Sequence, residues 1–312
     1  MLFAPPSLHI PDGFLNTVIS LIFWALTVIS VGLAISKTNK ALGEKQVPLM
    51  GIMAAFIFAS QMLNFPVAGG TTGHFLGGAL AAIVLGPWAA ILVMTAVIAL
   101  QALLFQDGGL LVMGANIFNM GVLTAMVGFG MYRLVVKANK TTRLAVAGVA
   151  AWLSTMASAL ITALQLWLSG TSVLQIVIPA MLGVHALIGI GEAIITVAAL
   201  AFILQARPDL LTSESVAEKG GKGWIYAGVI IALLAVLISP LASGDPDGLE
   251  RVAEDLGFLD RGLNAPYQIL PDYTIPFLGE TALSTVVAGI VGALVALGII
   301  VLLGGLLKKK EA

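Results

Sequence analysis

The chain contains no cysteine among its 312 residues. That excludes disulfides, thiolate metal sites and cysteine nucleophiles, and carries no information about redox compartment. Charge is scarce as well. Asp, Glu, Lys and Arg make up 10% of the residues while hydrophobic types make up 59%. A soluble globular domain carries about 25% charged residues. With a mean hydropathy of +1.04, the composition predicts an integral membrane protein. A formal net charge of -1 points to no nucleic acid and to no anionic surface as partner. The sequence has no His-Glu-x-x-His, which excludes a zincin-type hydrolase site. It has no Gly-x-x-x-x-Gly-Lys-Ser/Thr, so it does not bind ATP through a P-loop; Gly220-Gly221-Lys222-Gly223 lacks both the spacing and the hydroxyl. No nucleophile elbow frames any serine, which leaves an intramembrane hydrolase without support. In the first two thirds of the chain only Asp107 and Glu192 are carboxylates near or inside apolar runs. A proton-coupled pump generally needs more buried ionisable groups. Residues 1–13 contain no Lys or Arg, so the first apolar run reads as a retained span and not as a signal peptide.

What is present are long apolar runs. A helix needs about 20 mostly apolar residues to cross the hydrocarbon core. Candidate spans are 14–36, 48–65, 74–86, 88–106, 115–136, 144–168, 174–205, 224–240 and 282–307. The third is short and is broken from the fourth by Gly86-Pro87; the seventh is interrupted by Gly183, Gly189 and Gly191. The expected architecture is an all-α polytopic membrane protein with about seven transmembrane helices followed by a two-helix hairpin. Thirteen of the fifteen basic residues fall in four groups: Lys37/Lys40/Lys45, Arg133/Lys137/Lys140/Arg143, Arg207/Lys219/Lys222 and Lys308/Lys309/Lys310. Nine spans threaded with the N-terminus outside and the C-terminus cytoplasmic put all four groups inside, as the positive-inside rule requires. The same threading puts the loop 241–281 outside. That loop holds eight of the sixteen acidic residues, and it either recruits metal or gates the N-terminal arm, or simply solvates an external hairpin. Residues 207–223 are polar and glycine-rich and read as a cytoplasmic linker. The chain therefore divides into a seven-span module, 8–206, the linker, and a two-span module, 224–312.

Three histidines stand out against this apolar background. His9 precedes the first span in Leu8-His9-Ile10-Pro11-Asp12-Gly13, and His74 closes Gly69-Gly70-Thr71-Thr72-Gly73-His74. The threading puts both on the outer face. Imidazole suits nickel, copper, zinc and iron, whereas hard cations prefer oxygen. Two imidazoles leave a site incomplete, and backbone nitrogen is the remaining donor type at hand. A chain that begins X-His offers an α-amine, the histidine amide nitrogen and an imidazole nitrogen in fused chelate rings. A second imidazole then completes a tetragonal set of four nitrogens, the geometry of nickel(II) or copper(II). This chain meets that pattern if translation starts at Leu8, where a Leu-type codon can also serve as a bacterial start. The blander reading makes His9 and His74 backbone hydrogen-bonders at helix entrances. His185, in Gly183-Val184-His185-Ala186, is equally readable as an interhelical hydrogen-bonder, with Glu192 as a candidate partner. Thr71, Thr72, Asn116, Asn119 and His185 are the candidates to orient the imidazoles from outside the ligand set.

Several stretches together resemble a known family. His9-Ile10-Pro11-Asp12-Gly13-Phe14-Leu15 is similar to the N-terminal signature of the substrate-binding membrane component of nickel/cobalt energy-coupling-factor (ECF) transporters, the CbiM/NikM type. The segments 66–74, 77–81, 86–89, 101–105, 107–109, 114–121 and 183–193 match it in order, covering most of residues 8–205. Pro246-Asp247-Gly248-Leu249-Glu250 resembles the PDGLE-type auxiliary component found fused to, or encoded beside, such permeases. The resemblance implies a metal held by the amine of the first residue, the amide and imidazole of the second, and a loop histidine. Carried over, these are the amine of Leu8, His9 and His74, with Ni2+ or Co2+ as the transported substrate. Residues 1–7 depart from the family pattern and bear on the amine alone. The resemblance further implies separate cytoplasmic ATPase subunits and a transmembrane coupling subunit of the CbiQ/NikQ type, in the plasma membrane; the missing P-loop agrees with that division. The competing reading is a self-sufficient secondary carrier for a divalent transition-metal cation.

Overall fold

In a bilayer every backbone N–H and C=O must be paired within its own segment, so long apolar runs become helices. The computed structural model describes residues 9–38, 46–206 and 223–307. Leu8, the linker up to residue 222, and Lys40, Lys45, Arg207, Lys219, Lys222 and Lys308 to Lys310 lie outside the described residues. The helices are α1 Thr17–Thr38, α2 Gln46–Gln61, α3 Gly78–Leu85, α4 Pro87–Leu100, α5 Met113–Ile117, α6 Thr124–Tyr132, α7 Lys140–Leu168, α8 Leu174–Ala206, α9 Gly223–Ile238, α10 Gly248–Asp255 and α11 Ala282–Leu307. The only sheet among the described residues is a two-residue antiparallel pair, Phe65–Pro66 with Thr72–Gly73. The chain is an all-α polytopic membrane protein. Seven helical rods of the described residues are long and apolar enough to cross a membrane.

The nine apolar runs all appear, but two fall short of spanning length. α2 has 16 residues. The run 74–86 yields only the eight-residue α3, about 12 Å long at 1.5 Å per residue. The residues ahead of α3 are spent on irregular chain, because the peptide N–H groups of Leu76 and Gly77 donate to the Glu192 carboxylate of α8 at 2.6 and 3.0 Å. The His185–Glu192 pairing open at the level of sequence does not form; His185 Nδ1 instead donates to Met181 O at 2.8 Å, one turn back. The glycines of the seventh run do not interrupt it. α8 continues through all three for 33 residues, about 50 Å.

α2 is buried along most of its length between α4, α9 and α11, so the last two long helices pack on the first module. Small residues permit this. A Cβ at Gly292 of α11 would meet the Phe58 ring of α2 at 2.1 Å. The outward faces of α1 and α9 stay apolar and exposed (Leu21, Val28 and Ile29; Ile230, Leu234 and Leu237), the pattern of helices solvated by lipid.

Two π-helical turns, Gln101–Phe105 and Phe118–Leu123, flank the loop 106–112. Such turns are rare and concentrate at functional sites. That loop lies at the same end of the bundle as residues 9–16, 62–77, 169–173 and 242–281, as the bonds among them establish: Gly109 N to Ile10 O, Thr72 N to Pro246 O, Ser243 N to Asn64 O, Leu263 N to Asp12 O and Thr171 Oγ1 to Phe14 O. Lys37, Arg133, Lys137 and Arg143 occupy the opposite end. Only Arg251 and Arg261, among described basic residues, share the end with the histidine-bearing loops.

Removing the Glu192 acceptor leaves two buried N–H groups unpaired, each costing about 1–3 kcal/mol. Glu192→Ala is expected to lower the melting temperature of the detergent-purified protein by several degrees, and Glu192→Gln by less. An unchanged Glu192→Ala melting curve would contradict this role.

Candidate metal centre

The segment before α1 is irregular, yet it is buried among helices, so its polar backbone needs partners. Pro11-Asp12-Gly13 makes a tight turn, with Phe14 N donating to Pro11 O at 3.4 Å. Asp12 accepts three peptide N–H groups of the facing loop, from Leu110, Leu111 and Val112, at 2.9, 2.9 and 3.1 Å. Asn116 binds Ile10 on both sides: its Oδ1 accepts from Ile10 N at 3.1 Å and its Nδ2 donates to Ile10 O at 3.0 Å. Gly109 permits the approach, since a Cβ there would sit 2.2 Å from Asp12 N. Leu263 of the second module donates to Asp12 O at 2.7 Å and holds the arm from the other side.

This docking delivers His9 to the interior, where it is 2% exposed. Its Nδ1–H donates to Asp107 Oδ1 at 2.9 Å, and its buried Nε2 has no hydrogen-bond partner. His74 faces it, with ring centroids 5.8 Å apart and planes at 63°. Metal–nitrogen bonds of about 2.0 Å place the centroids of two imidazoles sharing one ion up to roughly 6 Å apart. The observed separation therefore lets one ion touch both rings. His74 Nδ1 lies 3.3 Å from Phe75 O, a contact that leaves Nε2 as the lone-pair nitrogen when Nδ1 carries the proton.

Both rings line a cavity of about 50 Å³. His185, Asn116, Asn119 and Asp247 line it too, so the third histidine joins the other two. Among the described residues no group of three or more His, Cys, Asp or Glu side chains is arranged to hold an ion.

Electrostatics separate the two rings. Burial pushes the His74 imidazole down to about 4, with the charge of His9 adding to it, so His74 is neutral near pH 7. Burial also disfavours charge on His9, but the charge and hydrogen bond of Asp107 outweigh it and bring His9 above the usual imidazole range. Burial, offset in part by the Glu250 peptide, raises the Asp247 carboxyl to about 6.

The residues expected to orient the imidazoles behave differently from one another. Asn116 holds the His9 arm by its backbone. Asn119 lines the cavity, but its amide exchanges hydrogen bonds with Gln165 and Thr162 of α7 at 2.7 to 3.1 Å. Thr72 turns to the second module, its hydroxyl donating to Asp245 O and Pro246 O at 3.0 and 3.2 Å. Thr71 is buried but does not line the cavity. Leu8 lies outside the described residues.

Sequence reasoning gave no role to Asp12, Asp107, Asp247 or Tyr273. One signal was available. The tripeptide Pro-Asp-Gly occurs twice, at 11–13 and 246–248. In both copies the carboxylate accepts backbone N–H groups: Asp12 from the loop 110–112, and Asp247 from Glu250 at 2.7 Å as the N-cap of α10. Asp107 is recognisable as a scarce carboxylate near the spans. Tyr273 carries no sequence signal.

Comparison with known proteins follows the same outline. The model of a family described as cobalt uptake substrate-specific transmembrane region (CbiM) matches residues 9–210, and the PDGLE domain model matches residues 222–309. A chain of Archaeoglobus fulgidus bearing the name of a fused nickel transport protein, NikMN, is 38% identical over 302 residues, spanning 94% of this chain and 96% of that one. The cobalt transport protein CbiM of Geobacter sulfurreducens is 31% identical over 271 residues, 80% of this chain and 76% of that one. The crystal structure of a truncated transition metal transporter superposes with a TM-score of 0.58 at 37% identity, covering 64% of this chain and 99% of that one.

Asp12→Ala removes the acceptor of three peptide groups and is expected to release the arm. Hydrogen–deuterium exchange should speed up over residues 9–14 and 108–112 while the core of α4 is unchanged. Unaltered exchange in the arm would show that Asp12 does not hold it.

Proposed function

This chain belongs to the CbiM family of cobalt uptake substrate-specific transmembrane regions, with a PDGLE domain fused behind it, and from that premise we propose that it is the metal-binding membrane component of an ATP-driven ECF importer of nickel or cobalt. It is a transport protein, and its metal is cargo. ATP hydrolysis falls to separate ATPase subunits, reached through a transmembrane coupling subunit of the CbiQ/NikQ type.

The observation that carries the reading is the buried, unpartnered Nε2 of His9 in a cavity opposite His74. A buried polar atom without a partner is costly. An imidazole whose ring centroid lies 5.8 Å from that of a second imidazole, both lining one cavity, is suited to a borderline transition-metal ion and poorly suited to Ca2+ or Mg2+. The proposed ligands are His9, His74 and, for a chain starting at position 8, the amine of Leu8. His185 is a candidate further contact from α8. A six-membered ring between the His9 imidazole and its own amide requires Nδ1, which Asp107 holds. Ligation by that ring therefore requires the imidazole to turn away from Asp107, whereas ligation at Nε2 uses the ring as it stands.

In this proposal the cavity end faces outward. Lys37, Arg133, Lys137 and Arg143 gather at the opposite end, and the positive-inside rule assigns that end to the cytoplasm. The native absence of cysteine makes the orientation directly measurable. In intact cells Asp260→Cys is expected to react with a membrane-impermeant maleimide, and Lys137→Cys only after permeabilisation. The reverse pattern would invert the topology.

His9→Ala and His74→Ala are each expected to abolish high-affinity nickel or cobalt binding, a loss of at least 100-fold by calorimetry, with the protein still folded and monodisperse. Retention of binding in either variant would remove that histidine from the ligand set. Uptake into proteoliposomes containing this chain alone, driven by a proton gradient without ATP, would favour a self-sufficient carrier instead.

A further inference from the structure

We infer that Glu192, midway along α8, is a positioning residue for metal capture: through the peptide groups of Leu76 and Gly77 it holds His74 at the cavity. The inference rests on the reading of His74 as a ligand.

The loop that carries His74 has little tendency to hold one shape by itself. Residues 69–78 include five glycines: Gly69, Gly70, Gly73, Gly77 and Gly78. Glycine loses more conformational freedom on ordering than any other residue. An imidazole on such a loop would have to be ordered at each capture, with a loss of affinity, unless the protein orders it beforehand. The anchors that do so lie on both sides of His74. Ahead of it, Thr72 bonds to the second module through its peptide N–H and its hydroxyl. Behind it, Glu192 takes the N–H groups of Leu76 and Gly77, one on each carboxylate oxygen, at 2.6 and 3.0 Å. Gln61 of α2 donates to Leu76 O at 2.9 Å, so both polar groups of that residue's backbone are held. At Gly77 the backbone has a φ of +83°, and the chain turns directly into α3.

A carboxylate is a demanding choice of anchor here. Glu192 is 0% exposed, within a helix long enough to cross the membrane. Ionisable groups in such places are rare and mark function. Two neighbouring N–H donors call for two acceptor oxygens. A carboxylate has both, whereas glutamine would offer one oxygen and turn its own N–H towards a peptide N–H. The rest of the loop also sits on α8. Phe65 and Gly73, which face each other across the two short strands, rest on Gly191 and Ile188. Cβ atoms at Gly191 and Gly73 would come within 2.3 Å of Phe65 Cζ and 2.7 Å of Ile188 Cγ1. His185, about two turns before Glu192 on the same helix, lines the cavity itself. α8 therefore supplies part of the cavity wall and also sets where the His74 ring stands opposite His9.

The test compares variants of the full chain. Glu192→Gln is expected to lower nickel affinity by about 10-fold or more. It should also speed hydrogen–deuterium exchange over residues 72–78 while residues 9–14 exchange as in wild type. Ile91→Ala opens a void in the buried core of α4, away from the cavity lining, and so reports loss of stability alone. It should bind nickel as wild type does, even where its melting temperature falls further than that of Glu192→Gln. Wild-type nickel affinity in Glu192→Gln, beside lost binding in His74→Ala, would reduce Glu192 to a fold-stabilising contact and overturn the inference. An equal loss of affinity in Ile91→Ala would overturn it as well. If His74→Ala itself binds nickel like wild type, the ligand reading fails and the inference fails with it, whatever the exchange over 72–78. Should Glu192→Gln not fold, Glu192→Asp keeps both acceptor oxygens but draws them one methylene back towards α8. It should show the same fall in affinity and the same local exchange, and wild-type values for both would equally overturn the inference.

Discussion

The candidate site depends on an irregular segment, residues 9–14, being accepted inside an apolar bundle. Nothing in a bilayer supplies hydrogen bonds to such a segment, so the protein must satisfy it completely. It does so with one carboxylate, one amide and one glycine. Asp12 collects the N–H groups of 110–112, Asn116 reads the Ile10 peptide on both sides, and Gly109 lets the two backbones meet. The loop 106–112 is in turn framed by π-helical turns, which shift the facing helices out of regular register. The position of His9 is therefore set by backbone docking before any side-chain chemistry enters.

The same reasoning explains why the two sequence modules meet at the site. Thr72, beside His74, donates to the carbonyls that precede Asp247. Leu263 pairs with Asp12, Asp247 lines the cavity, and Tyr273 reaches beneath Asp107. α9 and α11 pack on α2 through small residues, and the loop between them lies across the cavity end. Its acidic side chains divide accordingly. Asp247 turns inward and is 4% exposed, whereas Glu254, Asp255 and Asp260 face outward.

How much of this the sequence disclosed follows from the kind of information each feature carries. Apolar runs and clustered basic residues encode helices and ends, and α1, α4 and α7 to α9 emerge close to the expected ranges. Run length did not reveal that 74–86 holds only α3, because Glu192 draws the preceding backbone out of helix, a contact 116 residues away in sequence. His9 and His74 were legible as rare polar residues in an apolar chain, and their common face followed from parity. Their actual separation, and the joining of His185 to the same cavity, required coordinates. Thr72 and Asn119 were chosen for nearness to one face, which does not indicate what a side chain bonds. Asp12 and Asp247 were disguised as turn residues, since Pro-Asp-Gly is a common turn sequence. Tyr273 lies in a segment whose conformation no local rule predicts.

Charge balance gives the last constraint. Moving a divalent ion from water into a buried cavity is prohibitive unless opposite charge is already close. Imidazoles supply lone pairs and no negative charge. Asp107 and Asp247 supply it, one from each module, the first bonded to His9 and the second lining the cavity. Burial holds the Asp247 carboxyl up at about 6, the mark of an anion kept in surroundings that disfavour it. A dication in the cavity would reverse that penalty, since its field favours the ionised form. Metal and anionic carboxylates would then stabilise each other, and the second module would contribute half of the compensating charge. Fusion of the two modules in one chain keeps Asp247 tethered to the cavity end, so that under the proposed function this charge would be present when an ion arrives.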